Sequence, residues 1–135
     1  MNWKEFEELA RKKMSTHFGV ELREGCLVGS PKKFDMLSVA EGIVGDAKYL
    51  SLVRGEGLPP AKFMEIAGHV WLLERVWSCP RRFLVFGNQQ SVPEWWLRKY
   101  GRLVDTVDFY FLSDDGKLNQ LNANRASLKV TRMGL

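Results

Sequence analysis

The chain has 135 residues, 45% of them apolar and 27% charged, an ordinary globular composition long enough to bury one core and too apolar for a disordered chain. Lys and Arg number 20 against 16 Asp and Glu, so the net charge is +4 and the pI near 9.2, which permits a nucleic-acid partner without demanding one. Cys26 and Cys79 form no CxxC, no run of about 18 apolar residues occurs, and the first turns mix acids with bases. The expectation is therefore reduced thiols, no zinc site, no disulfide framework, no membrane partner, no secretory signal and a cytoplasmic location.

Residues 2–18 predict a helix: Trp3, Phe6, Ala10, Met14 and His17 follow helical spacing, Leu9 borders the stripe, and Gly19 stops it. Residues 20–28 predict a strand, with Glu24-Gly25 marking a bulge or turn inside it. After the Ser30-Pro31 break, residues 33–39 and 43–50 predict two strands joined by Ala40-Glu41-Gly42, a short hairpin connection with Gly where a bulged loop needs it. Residues 54–60 carry turn chemistry and prepare a helix over 61–77, whose apolar stripe runs through Phe63, Ile66, Ala67, Val70, Leu73 and Trp77. Residues 82–88 read as a buried central strand and 91–101 as a short helix, with Ser91 at its N-cap and Pro93 in its first turn. Residues 106–121 predict a strand, a turn at Asp114-Asp115-Gly116 and a second strand. Ala126, Leu128 and Val130 alternate like an edge strand. The order helix, three strands, helix, strand, helix, strand implies one α/β domain, a mixed central sheet flanked by helices.

The chemistry concentrates around the hairpin. Asp46 and Lys48 stand two apart on a strand and so point to one face. Their neighbours Ile43, Val44, Ala47 and Tyr49 are largely apolar, and an acid and an ammonium in such a strand are costly unless they bind something. Pairing around the turn places residue n opposite roughly residue 82 minus n, which brings Asp35 to the region of Asp46 to Lys48. Two close carboxylates on strands offer hard oxygen to magnesium or manganese, and a lysine beside them can hold a water or stabilise charge on a phosphate, as metal-assisted phosphodiester hydrolysis requires. A cross-strand Asp–Lys contact on an exposed strand pair is the plain alternative.

Asp35, an interval of 11 residues and then Asp46-Ala47-Lys48 resembles the PD-(D/E)XK motif of the restriction-endonuclease-like nucleases. The usual proline before the first Asp is absent, and Phe34 stands there. The resemblance covers about residues 2–88 and implies an αβββαβ core. It implies a metal-dependent endonuclease acting on DNA, with RNA as the less expected substrate, Asp35, Asp46 and the backbone carbonyl of Ala47 as ligands of Mg or Mn, and Lys48 as the catalytic lysine. Many relatives place a glutamate of the first helix in the site, and Glu5, Glu7 and Glu8 compete for that role. Glu7 lies about 60° from the centre of the apolar stripe and is preferred, against its reading as a surface glutamate. Some relatives carry a polar pair four apart on the helix after the hairpin. Glu65 and His69 offer that spacing, although a structural, hydrogen-bonded histidine is the more usual role for such a residue.

Arg11-Lys12-Lys13, Lys32-Lys33 and Arg81-Arg82 are candidate phosphate contacts, Lys32 and Lys33 foremost because they lead into Asp35, and each run also reads as a solvated end of an element. Trp95 and Trp96 are adjacent, so one helix cannot bury both equally; packing at the helix boundary, base stacking and a dimer contact are all open. GxSxG, HExxH, GxxxxGK[ST] and GxGxxG are all absent from the sequence. Cutting both strands of a duplex with one site per chain implies a homodimer. A non-catalytic nucleic-acid- or protein-binding member of the same fold is the alternative, and a hydrolase of smaller phosphoesters a third.

Overall fold

The computed structural model describes residues 1–51 and 60–122, so the turn expected over 54–60, save its last residue, and the alternating segment at Ala126, Leu128 and Val130 lie outside the described residues. Three helices and six strands follow in the order α1 (Trp3–Phe18), β1 (Arg23–Cys26), β2 (Lys33–Ser38), β3 (Ile43–Leu50), α2 (Pro60–Glu74), β4 (Arg81–Asn88), α3 (Ser91–Tyr100), β5 (Val107–Leu112) and β6 (Leu118–Gln120). The strands form one mixed sheet in the order β1-β2-β3-β4-β5-β6. β3, β4 and β5 run parallel, whereas β1–β2, β2–β3 and β5–β6 are antiparallel. The parallel centre is the most apolar part: all six interior residues of β4 are buried, as expected of a strand covered on both faces.

Each face of the sheet has its own core. Phe6, Ala10 and Met14 of α1 pack on Met36, Ile43, Ala47, Phe83 and Val85. Ile66, Val70 and Leu73 of α2, with Val92 and Trp96 of α3, pack on Val44, Leu84, Phe86 and Phe109. α1 is fixed at both ends. The Asn2 side chain accepts the Glu5 N–H at 2.9 Å, and Gly19 closes the helix at φ 68°, a left-handed conformation that glycine adopts without strain. Of the stripe expected on α1, Phe6, Ala10 and Met14 are buried, but Trp3 and His17 are exposed, His17 lying edge-on to Tyr110 of β5.

Three boundary expectations are corrected. α2 ends at Glu74, and Trp77 lies beyond it, 85% exposed rather than in the stripe. There the chain tightens into turns with Arg75 N–H on Leu72 O and Val76 N–H on Leu73 O, while the buried Arg82 guanidinium collects the carbonyls of Val76 and Cys79. Ser91 is the first residue of α3 and not its cap; Gln90 holds the cap position in helical conformation, without a side-chain cap hydrogen bond. A bulge does lie beside Glu24, but its extra residue belongs to β2. Arg23 pairs with Leu37 and Gly25 with Phe34, so Asp35 and Met36 together oppose Glu24. Both cysteines are free thiols, Cys79 buried and Cys26 exposed. Among the described residues no helix is long and apolar enough to cross a membrane.

Candidate functional site

The bulge decides what Asp35 can reach. Two residues apart on a regular strand, Phe34 and Met36 would share a face; here Phe34 joins the α2/α3 core and Met36 the α1 core. The backbone register of β2 with β3 runs Ser38 with Ile43, Leu37 with Val44 and Met36 with Gly45. This is one residue from the register expected from the turn, and it brings Asp35 level with Asp46. Beyond Met36 two carboxylates replace the ladder. Asp35 N–H donates to Asp46 Oδ1 at 2.9 Å, and Ala47 N–H donates to Asp35 Oδ2 at 2.9 Å. Within a strand the N–H and C=O of one residue point to the same edge, so the Ala47 carbonyl faces this opening too.

Among the described residues Asp46 is the most enclosed acid, 1% exposed. Its Oδ2 lies 3.1 Å from Lys32 Nζ and 3.1 Å from His69 Nδ1. Burial pushes its pKa up, but the contacts to His69, to Asp35 N–H and to Lys32 outweigh burial and hold it below the ordinary value. Asp35 behaves oppositely. Burial raises it to about 6; the Ala47 N–H works against this, the negative charges of Asp46 and Glu7 add to it, and Lys32 offsets part. One carboxylate is thus held ionised and its neighbour held near its protonation point, a divergence found where acids share a site.

Lys48 points to the α2 face, as does Asp46. Its Nζ lies 3.4 Å from Glu65 Oε1, and Glu65 Oε2 lies 3.3 Å from Lys62 Nζ. Burial raises the Glu65 carboxyl, but Lys48 and Lys62 bring it below its usual value. The pair four apart on α2 therefore reaches the hairpin through both members, His69 to Asp46 and Glu65 to Lys48. On the α1 side, a cavity of about 390 Å³ is lined by Trp3, Glu7, Arg11, Glu24 and Asp35 among others, and a second, of about 270 Å³, is bordered by both helices through Trp3 and Glu7 of α1, Ala47 and Lys48 of β3 and Glu65 of α2 among others. Glu7 borders both. Of its rivals, Glu8 borders only the first, and Glu5 neither.

Lys33 turns to Glu24 at 2.7 Å, which raises the lysine's pKa and lowers the acid's. Arg11 also meets Glu24, at 3.5 Å, and its Nε donates to the Asp35 carbonyl at 3.3 Å, so it braces the bulge and is not simply a solvated helix end. Trp96 is buried, stacked on Phe109, with its Nε1 donating to Phe63 O; Trp95 is half-buried against Phe63. Both tryptophans serve packing.

Comparison with protein-family models, curated proteins and solved structures returns no match. Function must therefore be read from the site itself. Of the residues that sequence reasoning brought forward, Asp35, Asp46, Ala47 and His69 are linked at this opening, Lys48 and Glu65 meet each other, and Glu7 shares one cavity with Asp35 and the other with Lys48. Arg11 was visible as a basic residue and Glu24 as a bulge marker, but not their pairing beside Asp35, because the extra residue of the bulge lies on β2, which the spacing around Glu24 does not announce. The Lys32–Asp46 pair was missed for a different reason: Lys32 was visible as a cation leading into Asp35, but not as that acid's neighbour's partner. Among the described residues no three His, Cys, Asp or Glu side chains stand together so as to cage a metal unaided.

Proposed function

We propose that this chain is a divalent-cation-dependent endonuclease that hydrolyses phosphodiester bonds in DNA on a restriction-endonuclease-like αβββαβ core. The observation that carries the reading is the exchange between β2 and β3, where Asp35 N–H donates to Asp46 Oδ1 and Ala47 N–H to Asp35 Oδ2, with Lys48 two residues beyond Asp46 on the same strand. The donor set fits magnesium or manganese: its atoms are hard oxygens, and the burial and negative surroundings that raise Asp35 are relieved by a cation. Two carboxylates rather than a full protein cage suit magnesium, which keeps several waters and takes substrate phosphate as ligand.

Asp35, Asp46 and the Ala47 carbonyl would hold the ion. When bound, it supplies an acidified water and polarises the scissile phosphate. The Lys48 ammonium, 3.4 Å from Glu65 Oε1, would turn from that partner toward an attacking water or a phosphate oxygen. His69, fixed on α2, orients Asp46 through Oδ2. Glu7 contributes a carboxylate from the shared cavity wall. Lys33 and Lys32 lie beside the opening as phosphate contacts once drawn from their present partners.

A non-catalytic binding role on the same fold is the second reading. It is favoured by the internal satisfaction of Asp46, which Lys32, His69 and Asp35 N–H already occupy. The test is cleavage of plasmid, single-stranded and branched DNA by the wild type and by Asp46→Ala, with magnesium or manganese. Cleavage that disappears in the variant supports the enzyme. No cleavage of any substrate, with no metal binding by calorimetry, sinks it; loss of DNA binding in Lys32 and Lys33 variants would then favour the binding role. Sedimentation during duplex cleavage tests the expected two-fold dimer.

A further inference from the structure

Lys32 lies between β1 and β2, outside both strands, yet its ammonium reaches the least exposed acid of the site. Nζ stands 3.1 Å from Asp46 Oδ2, donates to the Lys33 carbonyl at 3.1 Å and lies 5.3 Å from the centre of the Phe34 ring. The Lys32 N–H donates to Ser30 Oγ at 3.3 Å, which fixes the turn that delivers it. A carboxylate offers about four lone-pair sites, and Asp46 uses three: one for Asp35 N–H, one for His69 and one for Lys32. Of these partners only Lys32 is a long, flexible cation. Its side chain is 27% exposed against 1% for Asp46, so water can receive the ammonium when it leaves. His69 is carried on a packed helix and Asp35 N–H is part of the backbone, so neither can leave in the same way.

An ammonium against a buried carboxylate supplies the charge compensation that any other cation would bring, and the two compete for the same oxygen. Resting on the metal-site reading above, we propose that Lys32 is a resident counter-ion of the site: a divalent cation binds by displacing its ammonium from Asp46, and the freed ammonium then stands at the mouth of the site for a substrate phosphate. The unliganded protein is thereby neutralised from within, and metal and phosphate load together. Phosphate stabilises the displaced lysine, and the metal stabilises the carboxylate it left.

The test is calorimetric titration of Mn²⁺ into the full chain, without nucleic acid, for the wild type, Lys32→Met, Lys32→Gln and Lys32→Arg. Lys32→Met keeps the apolar stem over Phe34 and removes the charge, Lys32→Gln does so with a polar end should the first fail to fold, and Lys32→Arg keeps the charge. The neutral variants are expected to bind Mn²⁺ about tenfold or more tighter than the wild type, the worth of one charge-assisted contact. Lys32→Arg should stay close to the wild type. Mn²⁺ should also raise the melting temperature of the neutral variants more than that of the wild type. Equal or weaker Mn²⁺ binding by the folded neutral variants overturns the counter-ion role alone, leaving the metal site intact. No Mn²⁺ binding by any of the four proteins overturns the metal reading and this proposal with it.

Discussion

Asp35 and Asp46 are chemically identical and adjacent across a strand pair, yet their surroundings drive them apart. Asp46 has His69, Lys32 and a backbone N–H to hold its charge; Asp35 has burial, a neighbouring acid and Glu7 against it. The consequence for stability has a definite sign. Asp35 titrates at about 6 in the folded protein and near 3.8 when unfolded, so the folded state binds the proton more tightly. Its contribution is therefore most favourable at low pH and is lost as pH rises from about 4 through about 6. Asp35→Asn removes the charge and keeps the acceptor for Ala47 N–H. In EDTA this variant should be more stable than the wild type at pH 7.5, by about 1–2 kcal/mol allowing for solvent screening, with the gain shrinking toward pH 4. Thermal melts across that range check it; a gain that does not change with pH would show that ionisation of Asp35 is not its origin. Both acids were legible in the sequence, as charges in an apolar strand context. Their opposite titration was not, because it depends on Lys32 and His69, which come from a loop and a helix remote in sequence.

Among the elements, α1 approaches the sheet through a glycine notch. A Cβ at Gly87 would lie 2.3 Å from a Phe6 ring carbon of α1, so the ring occupies the space a side chain would fill and sets the height of α1; a second notch lies within the sheet, where a Cβ at Gly45 of β3 would lie 2.4 Å from the ring of its β4 neighbour Phe83. Gly87→Ala is expected to destabilise by about 1–3 kcal/mol, the ordinary cost of overpacking a well-filled core. Gly68 offers the contrast: it is exposed on α2, a methyl group there would meet nothing within 4 Å, and Gly68→Ala should stabilise by about 0.5–1 kcal/mol through helix propensity. Urea denaturation of both variants reads the two signs directly; the same sign in both would refute the notch account. The elements themselves were mostly legible, since Gly19, Gly42 and the apolar run of β4 are local signals. The early end of α2 was not, because Trp77 continues the apolar stripe in sequence while Arg82, from the next strand, holds the carbonyls of the turn.

For the molecule as a whole, burial is graded across the sheet. β3, β4 and β5 form a parallel centre covered by α1 on one face and by α2 and α3 on the other. β1 is short and largely exposed, with charged residues that suit an edge, and β6 is short and exposed as well. Native-state hydrogen exchange should therefore be slowest for amides of residues 83–86 and 109–111, and fast along β1 and β6. The site lies where this gradient is steep, one strand in from the β1 edge. Such a position combines a rigid support in β3 with a neighbour, β2, that can open from it. Uniform protection across all six strands would contradict that picture.

Local pattern was enough to establish the order of the elements, the mixed α/β class and the acids and lysine of the hairpin, because periodicity, glycine turns and charges set among apolar neighbours are properties of short stretches of chain. Folding in three dimensions was needed to settle that β2 carries a bulge at Asp35, that Lys32 and His69 share one oxygen of Asp46, and that Glu7 rather than Glu5 borders both cavities. Each of these depends on contacts between segments far apart in the chain, whose geometry follows from which faces the sheet can bury, and no local pattern encodes it.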